Sequence, residues 1–466
     1  MKPHKNHLLI NKQTIYVIIY FVFGGIMNQI SLIKGPVKKS ILLFSIPFFF
    51  SNLFQQLYNT IDTLIIGHFL GDLPLAAIGS TAAVFELMVG FCNGLGLGFG
   101  IVASKYFGAN DKTSLKKVVS HSIFLGILFS LGLTLLSYFL LPELLTVLDT
   151  PSSIYSQALS YIQIIGLFLI VTLFYNLSAG LLRAIGDSVT PLIVLILSSL
   201  LNVGLDFILI TQFSLGIKGA AIATVIAQIV STFVCILFIY KKAKILIPDS
   251  FQFDYDLTMD LCAQGFSMGL MLSIVSIGTV TLQFGINQLG TRIIAAHTTA
   301  RKTLSLCSLF LSALCSSIST FVSQNRGAMR KDRIIEGIHF VNQLGIVYVC
   351  ILSVLIYFIS NFLVQLISGT KDPYIIQNAT MYLRINVPSM IVLVVLLNSR
   401  NALQGLGKKV IPLVSSIIEL IGKVIFTMMI IPILSYFGVC LCEPVIWILM
   451  TIQLQFSLHK AIEAFH

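Results

Sequence analysis

Four acidic residues fall inside long apolar stretches of the chain: Asp62, Glu86, Asp206 and Glu419. In hydrocarbon a charged carboxylate costs about 3 kcal/mol or more, so each is a candidate for function rather than decoration. Asn202 stands four residues before Asp206 and shares its helix face. Gln55 and Asn59 stand seven and three residues before Asp62, on nearly the same face. Two carboxylates drawn together in a low dielectric cannot both ionise cheaply, so one holds a proton near neutral pH. Alternatively a small hard cation takes the proton's place, held by oxygens of Asp, Asn, Thr and Tyr. Either occupant would bias the packing of the helices around it and alter affinity for a second solute.

The elements that must position these groups are membrane helices. Only 10% of the 466 residues are charged and 56% are hydrophobic, whereas soluble domains are about 25% charged. Runs such as 41–50 and 192–201 do not alternate apolar with polar residues, which excludes barrel strands and leaves helices. Apolar runs between Gly, Pro and charged breaks predict twelve spans: 41–66, 74–104, 118–141, 154–182, 188–211, 216–240, 260–287, 293–323, 336–359, 374–402, 409–435 and 438–459. Lysine and arginine crowd alternate gaps (Lys34, Lys38, Lys39; Lys105, Lys112, Lys116, Lys117; Arg183; Lys241, Lys242, Lys244; Arg326, Arg330, Lys331, Arg333; Lys408, Lys409; Lys460). The opposite gaps hold Lys218, Arg292 and Lys371. The +11 net charge is therefore a topology signal rather than a nucleic-acid footprint. It predicts that both ends of the chain are cytoplasmic. On that orientation Asp62 and Asp206 lie in the outer parts of outward-running spans. Thr224 lies eight residues into an inward-running span, ~12 Å below the outer surface, and Tyr161 lies at a similar depth.

The chain repeats. A shift of 219 residues lays Gly71–Ala77 on Gly290–Ala296, Ser104 on Ser323, Gly108 on Gly327 and Gly126 on Gly345. A shift of 221 lays Gly186 on Gly407 and Pro191 on Pro412. Six spans per repeat is an even number, so the halves have the same orientation about an axis along the membrane normal. The domain reading is an N-terminal extension over 1–34, a first lobe over 35–240, a cytoplasmic linker over 241–259 and a second lobe over 260–466. Residues 14–26 form an apolar run too short to span. That run is a signal-like segment, an interfacial helix, or a stretch upstream of a true start at Met27, the reading favoured here.

These motifs carry a resemblance. The stretches IDTLIIGHFLG, ASKYFGANDKTSLKK, LLRAIGDSVTPL and GTRIIAAHTTA, within duplicated six-span units, resemble the multidrug and toxic compound extrusion (MATE) family from about Gly35 to Ala461. The resemblance implies an all-α integral membrane fold of about twelve helices in two pseudo-symmetric bundles arranged as a V. It also implies bacterial inner-membrane export of small amphiphilic, often cationic, drug-like compounds by antiport against H+ or Na+. For the site it implies Asp62, Asn202, Asp206, Thr224 and Tyr161 as ion-coupling residues, with Asn176 a looser match. A second branch of the family carries acids in the seventh and tenth helices. The nearest positions here, about Val275 and Leu393, are apolar, which places any coupling in the first lobe.

Each residue has a plainer reading. Asp62 at a helix end could be solvated from outside, and Asp206 could pair with Asn202 structurally. Tyr161, Thr224 and Asn176 could serve packing. Gln55, Asn59 and Glu86 either line a cleft for cargo or sit at its rim. Glu419 with Lys423, at i and i+4, reads as a structural ion pair, and His297 as a structural hydrogen-bonder. The run GLGLGFG over 94–100 lacks the lysine of a phosphate loop and reads as a close helix contact. Eight cysteines without CxxC or Cys/His spacing propose no disulfide framework and no metal site beyond Na+ at Asp62 and Asp206. No cofactor other than the coupling ion and no nucleic-acid partner is expected, and the expected state is a monomer. The alternatives are a lipid-linked oligosaccharide flippase and an integral-membrane enzyme. The scarcity of mid-span bases favours neutral or cationic cargo over the first, and no HExxH-like or Ser/His/Asp constellation supports the second.

Overall fold

The computed structural model describes residues 30–465. The apolar run 14–26 and the proposed start at Met27 lie outside the described residues. Thirteen α-helices follow in order: α1 Val37–Leu70, α2 Asp72–Gly108, α3 Lys112–Val147, α4 Ser152–Leu167, α5 Leu169–Ala184, α6 Val189–Phe207, α7 Ile217–Lys242, α8 Tyr255–Asn287, α9 Thr291–Gly327, α10 Lys331–Ser368, α11 Pro373–Gly405, α12 Val410–Ile425 and α13 Ile431–Glu463. They make twelve spans. Helices α4 and α5 are one span bent by 50°, where the Thr134 hydroxyl donates to the Gly166 carbonyl at 3.3 Å and competes with the helix ladder. Helices α12 and α13 run on through a π turn, Phe426–Ile430. The chain then reverses at Ser435, whose φ is 49°. Gly422 packs on Ile446 and Gly438 on the Ile430 carbonyl, as an antiparallel pair must. A matching π turn, Ile208–Gln212, follows α6, so the repeat extends to this irregularity.

Helix α8 begins five residues before the predicted edge of its span. The Asp254 carboxylate accepts from the Leu257 amide and caps it, and Asp256 sits favourably in the first turn. The rest of the linker lies on α3. Lys116 pairs with Asp249 at 2.6 Å, and the Asp254 amide donates to His121 Nε2 at 2.9 Å. At the opposite end of the bundle Arg292 forms a bidentate pair with Asp372, the cap of α11. That hydrogen bond holds the Asp372 carboxyl below the usual carboxylate range.

Each half has its own apolar core, but each lends the other the start of its first span. Leu32, Val37, Ile41, Phe44 and Phe48 pack into the core of the second half. Leu257 and Leu261 of α8 pack into the core of the first. The GLGLGFG run makes two close contacts at once. Gly94 and Gly98 meet the backbone of Gly269 and Gly265 on α8, while Gly96 and Gly100 meet Asn176 and Gly180 on α5. Only glycine lets two helices flank α2 this tightly.

At the basic end the two halves are locked together. The Ser323 hydroxyl donates to the Ile101 carbonyl at 2.7 Å, Gln324 to Ala184 at 2.8 Å, and Asn325 and Arg333 both to Leu32. At the repeat-related pair Gly108 and Gly327, a Cβ would fall 2.0 Å from the Gln324 oxygen and 1.9 Å from the Lys105 oxygen. No side chain fits at either. Gly327→Ala is expected to prise this end apart. The readout is faster labelling of a cysteine placed at Ser319, in the cleft, by an impermeant maleimide supplied from the basic side. Labelling no faster than in the Gly327 protein would contradict this account of the closure.

Candidate ion-coupling site

Four helices bring the first-lobe polar residues together. Asp62 comes from α1, Tyr161 from α4, Asn202 and Asp206 from α6 and Thr224 from α7. The Asp62 and Asp206 carboxyls are close enough to hydrogen-bond to one another. Asp206 is fully buried, Asn202 almost so, and Tyr161 is buried too. The Asn202 side-chain amide donates to the Thr224 hydroxyl at 3.4 Å. Tyr58, which sequence reasoning passed over, lines the same small cavity as Asn202 and Thr224. Its signal was available, since it lies four residues before Asp62 on the same helix face.

The decisive feature is what the acids lack. Both oxygens of Asp206, one of Asp62 and the carbonyl oxygen of Asn202 are buried without any donor. No lysine, arginine or histidine lies within 4.0 Å of either carboxylate among the described residues. Buried polar atoms are ordinarily satisfied, and an orphaned carboxylate is among the costliest exceptions. A small hard cation could be coordinated by these four oxygens at once, and a proton would neutralise one carboxyl and let it donate to the other.

The remaining expected residues lie along the cleft. Gln55 lines both the central cavity, of about 290 Å³, and a smaller one of about 70 Å³ inside the first lobe. Tyr58, Asn202 and Thr224 line the smaller one. Asn59 accepts from Gln55 at 3.4 Å. Glu86 is exposed on α2, seven residues from Asn93, which lines the cleft. Asn176 departs from expectation. It lines the central cavity and donates to the Thr172 carbonyl at 2.9 Å, so it sits apart from the carboxyl cluster. Val171 and Thr172 turn the other way, where Thr172 pairs with Gln228 at 2.6 Å.

The second lobe corrects the sequence reading in one respect. Beside Glu419, already marked by the sequence, it holds a further buried acid, Glu443 on α13. Both are neutralised. Lys423 meets Glu419 at 2.8 Å, with Arg400 on its other oxygen at 3.7 Å. Arg301 meets Glu443 at 2.6 Å, and the Tyr382 hydroxyl donates to it at 3.2 Å. His297 lies 3.4 Å from the Tyr436 hydroxyl and acts within this network. The repeat mates of the two first-lobe acids, Thr281 and Thr427, also touch: the Thr427 hydroxyl donates to the Thr281 carbonyl at 3.4 Å. The scaffold of the site is thus duplicated, while its free charge is not.

The MatE family profile matches residues 47–208 and again 268–429, one match in each half. This chain belongs to the MatE family. As a MatE protein it is a multi-pass membrane transporter rather than an enzyme. It is 27% identical over 342 residues to the probable multidrug resistance protein YoeA of Bacillus subtilis, covering 72% of this chain and 74% of that one. It is 24% identical over 361 residues to the multidrug export protein MepA of Staphylococcus aureus, covering 77% and 79%. Its fold is similar to that of a multidrug resistance MATE family transporter of the MOP superfamily in an outward-facing conformation (TM-score 0.86, 21% identity, 94% of this chain and 98% of that one). A MATE crystal structure in the bent conformation matches nearly as well, with a TM-score of 0.85 at 20% identity over 93% and 98% of the chains.

Proposed function

We propose that this MatE transporter exports small amphiphilic compounds across the bacterial plasma membrane by alternating access, driven by inward flow of H+ or Na+. Both termini lie in the cytoplasm on this reading, and the chain works as a monomer. The observation that carries it is the Asp62–Asp206 pair, a fully buried carboxyl beside a half-buried one, neither with a basic partner. An acid already neutralised by arginine or lysine gains little from an ion. An acid with no partner must take one or stay costly, which makes lobe packing sensitive to the ion. Similarity to the probable multidrug resistance protein YoeA and the multidrug export protein MepA supports the choice of cargo.

With the basic end facing the cytoplasm, the halves are closed inside, and the ion reaches the carboxyl pair from outside. Protonation, or cation binding among the oxygens of Asp62, Asp206, Asn202 and Thr224, removes the repulsion between the carboxyls. The helices around them then repack, and affinity for cargo in the cleft changes with them. Gln55, which lines both cavities, joins the two sites physically. Cargo leaves outward, the cleft reopens inward, and the ion is released to the cytoplasm.

The experiment is ethidium efflux from proteoliposomes under an imposed pH gradient, an imposed Na+ gradient, or neither. Export is expected with one gradient only, and Asp62→Asn is expected to make the rate independent of it. Equal export in all three conditions by the parent protein would remove the antiport reading.

A further inference from the structure

The floor of the cleft holds a cation that the protein does not neutralise. Arg183 lies in the last turn of α5 and was grouped, in sequence, with the basic loops. The structure turns it inward. It lines the central cavity with Asn52, Asn93, Asn176 and Asn401, and its guanidinium sits 4.8 Å from the centre of the Phe48 ring. No carboxylate lies within 4.0 Å of it among the described residues, and none of residues 1–29 is acidic. The nearest acid along the chain is committed elsewhere. Asp187 Oδ1 accepts from the amides of Val189 and Thr190, and Oδ2 from the Thr190 hydroxyl, capping α6. Three other cations drawn into the helical interior have acids: Arg301 has Glu443, and Arg400 and Lys423 share Glu419.

A guanidinium facing the cleft with no carboxylate partner keeps its charge free for a ligand, since a cation–π contact returns only about 0.5–2 kcal/mol. Arginine is also the side chain whose planar fork matches the two oxygens of an acid group, and three or more nearby carboxamides can bond the rest. We infer that Arg183 is the receptor for an acidic group on the cargo, a carboxylate, sulfonate or phosphate carried at one end of an amphiphile. Phe48, Leu97 and Met268 in the same cavity supply an apolar wall for its body. The expectation of neutral or cationic cargo, drawn from the scarcity of mid-span bases, is thereby reversed for this part of the cleft: its floor selects for a negative group. That such a compound is exported rests on the exporter reading; that it binds does not.

The test is calorimetric titration of the full-length protein with matched probes, naphthalene-2-sulfonate against the neutral naphthalene-2-sulfonamide, and dihexanoyl phosphatidylglycerol against the phosphatidylcholine. Charge-assisted bonds to one arginine predict a preference for the anion of about tenfold or more. Arg183→Gln is expected to abolish that preference and Arg183→Lys to keep part of it. Asn52→Asp, which sets a carboxylate in the same cavity, is expected to abolish it without removing the arginine, and so covers the case in which Arg183→Gln fails to fold. Preference for the sulfonate marks a soluble cargo and preference confined to the phosphatidylglycerol marks a lipid headgroup; either supports Arg183 as receptor if the variants lose it. A parent protein that does not prefer either anion, or folded variants that keep the parental preference, would overturn the inference. Failure of ethidium efflux alongside intact anion preference would count against the exporter reading and not against this one.

Discussion

Asp206→Asn should slow gradient-driven export by about 100-fold, toward the upper end of what a coupling free energy between two sites supplies. The substitution keeps the side chain's shape and removes only its ability to take and release a positive charge. Asp206 is fully buried with both oxygens unpartnered, so nothing in the native protein depends on its negative charge for stability. An asparagine there can donate to the Asp62 carboxyl beside it, and the melting temperature in detergent is therefore expected not to fall. The two readouts, efflux rate under a gradient and melting temperature, separate a coupling role from a packing role. A variant that exports within twofold of the parent rate would show that the carboxyl is dispensable. A variant that loses export together with several degrees of melting temperature would assign Asp206 to structure.

Arg301→Met should have the opposite signature. It leaves Glu443, whose side chain is 8% exposed, as an uncompensated buried charge. Removing one partner of a buried pair costs about 3–5 kcal/mol. The 39% exposure of the Arg301 side chain toward the cleft places this case at about 3 kcal/mol, the low end of that range. The double variant Arg301→Met with Glu443→Gln should recover at least half of the loss, because it removes the stranded charge along with its partner. The ion dependence of export in the folded fraction should stay as in the parent. Unfolding equilibria in mixed micelles for the two singles and the double give the coupling energy directly. Additive losses would mean that the 2.6 Å contact contributes no net coupling, and altered ion dependence would move part of the coupling machinery into the second lobe.

The pair of expectations isolates the principle of asymmetry in this protein. The repeat gives both lobes the same helices, the same π turn near the end of the fifth span and the same contact between the positions of Asp62 and Asp206. One lobe fills those positions with acids that nothing neutralises. The other fills them with Thr281 and Thr427, and keeps its acids elsewhere under arginine and lysine.

Much of this was legible without coordinates. Twelve spans follow from apolar run lengths because a bilayer demands them, and the repeat follows from glycines and prolines in register. The convergence of Asp62, Asn202, Asp206, Thr224 and Tyr161 was expected from depth along their helices, a one-dimensional quantity that sequence encodes well. Rotation about each helix axis and packing between helices are encoded poorly, and there the expectations slipped. Asn176, given by the resemblance alone, lies 15 residues further along its span than Tyr161 and faces the cleft. Glu443 lies five residues inside its predicted span but is not among the four acids singled out there. Tyr58 lies on the right face of α1 but lacks a charge to draw attention.

What the sequence by itself determined is the solvent of this chain, its number of spans, its duplication, its family and the presence of acids where acids are expensive. Hydrophobicity and period set these, and each is a property of a single segment. What only the tertiary structure decided is which of the charges are paired. Arg301 and Glu443 are 142 residues apart in the chain, and no local pattern announces that they meet. Nor does any pattern announce that Asp206 and Arg183 meet no opposite charge at all. Electrostatic balance belongs to the assembled bundle, because a charge is neutralised by whatever lies within a few ångströms of it in space.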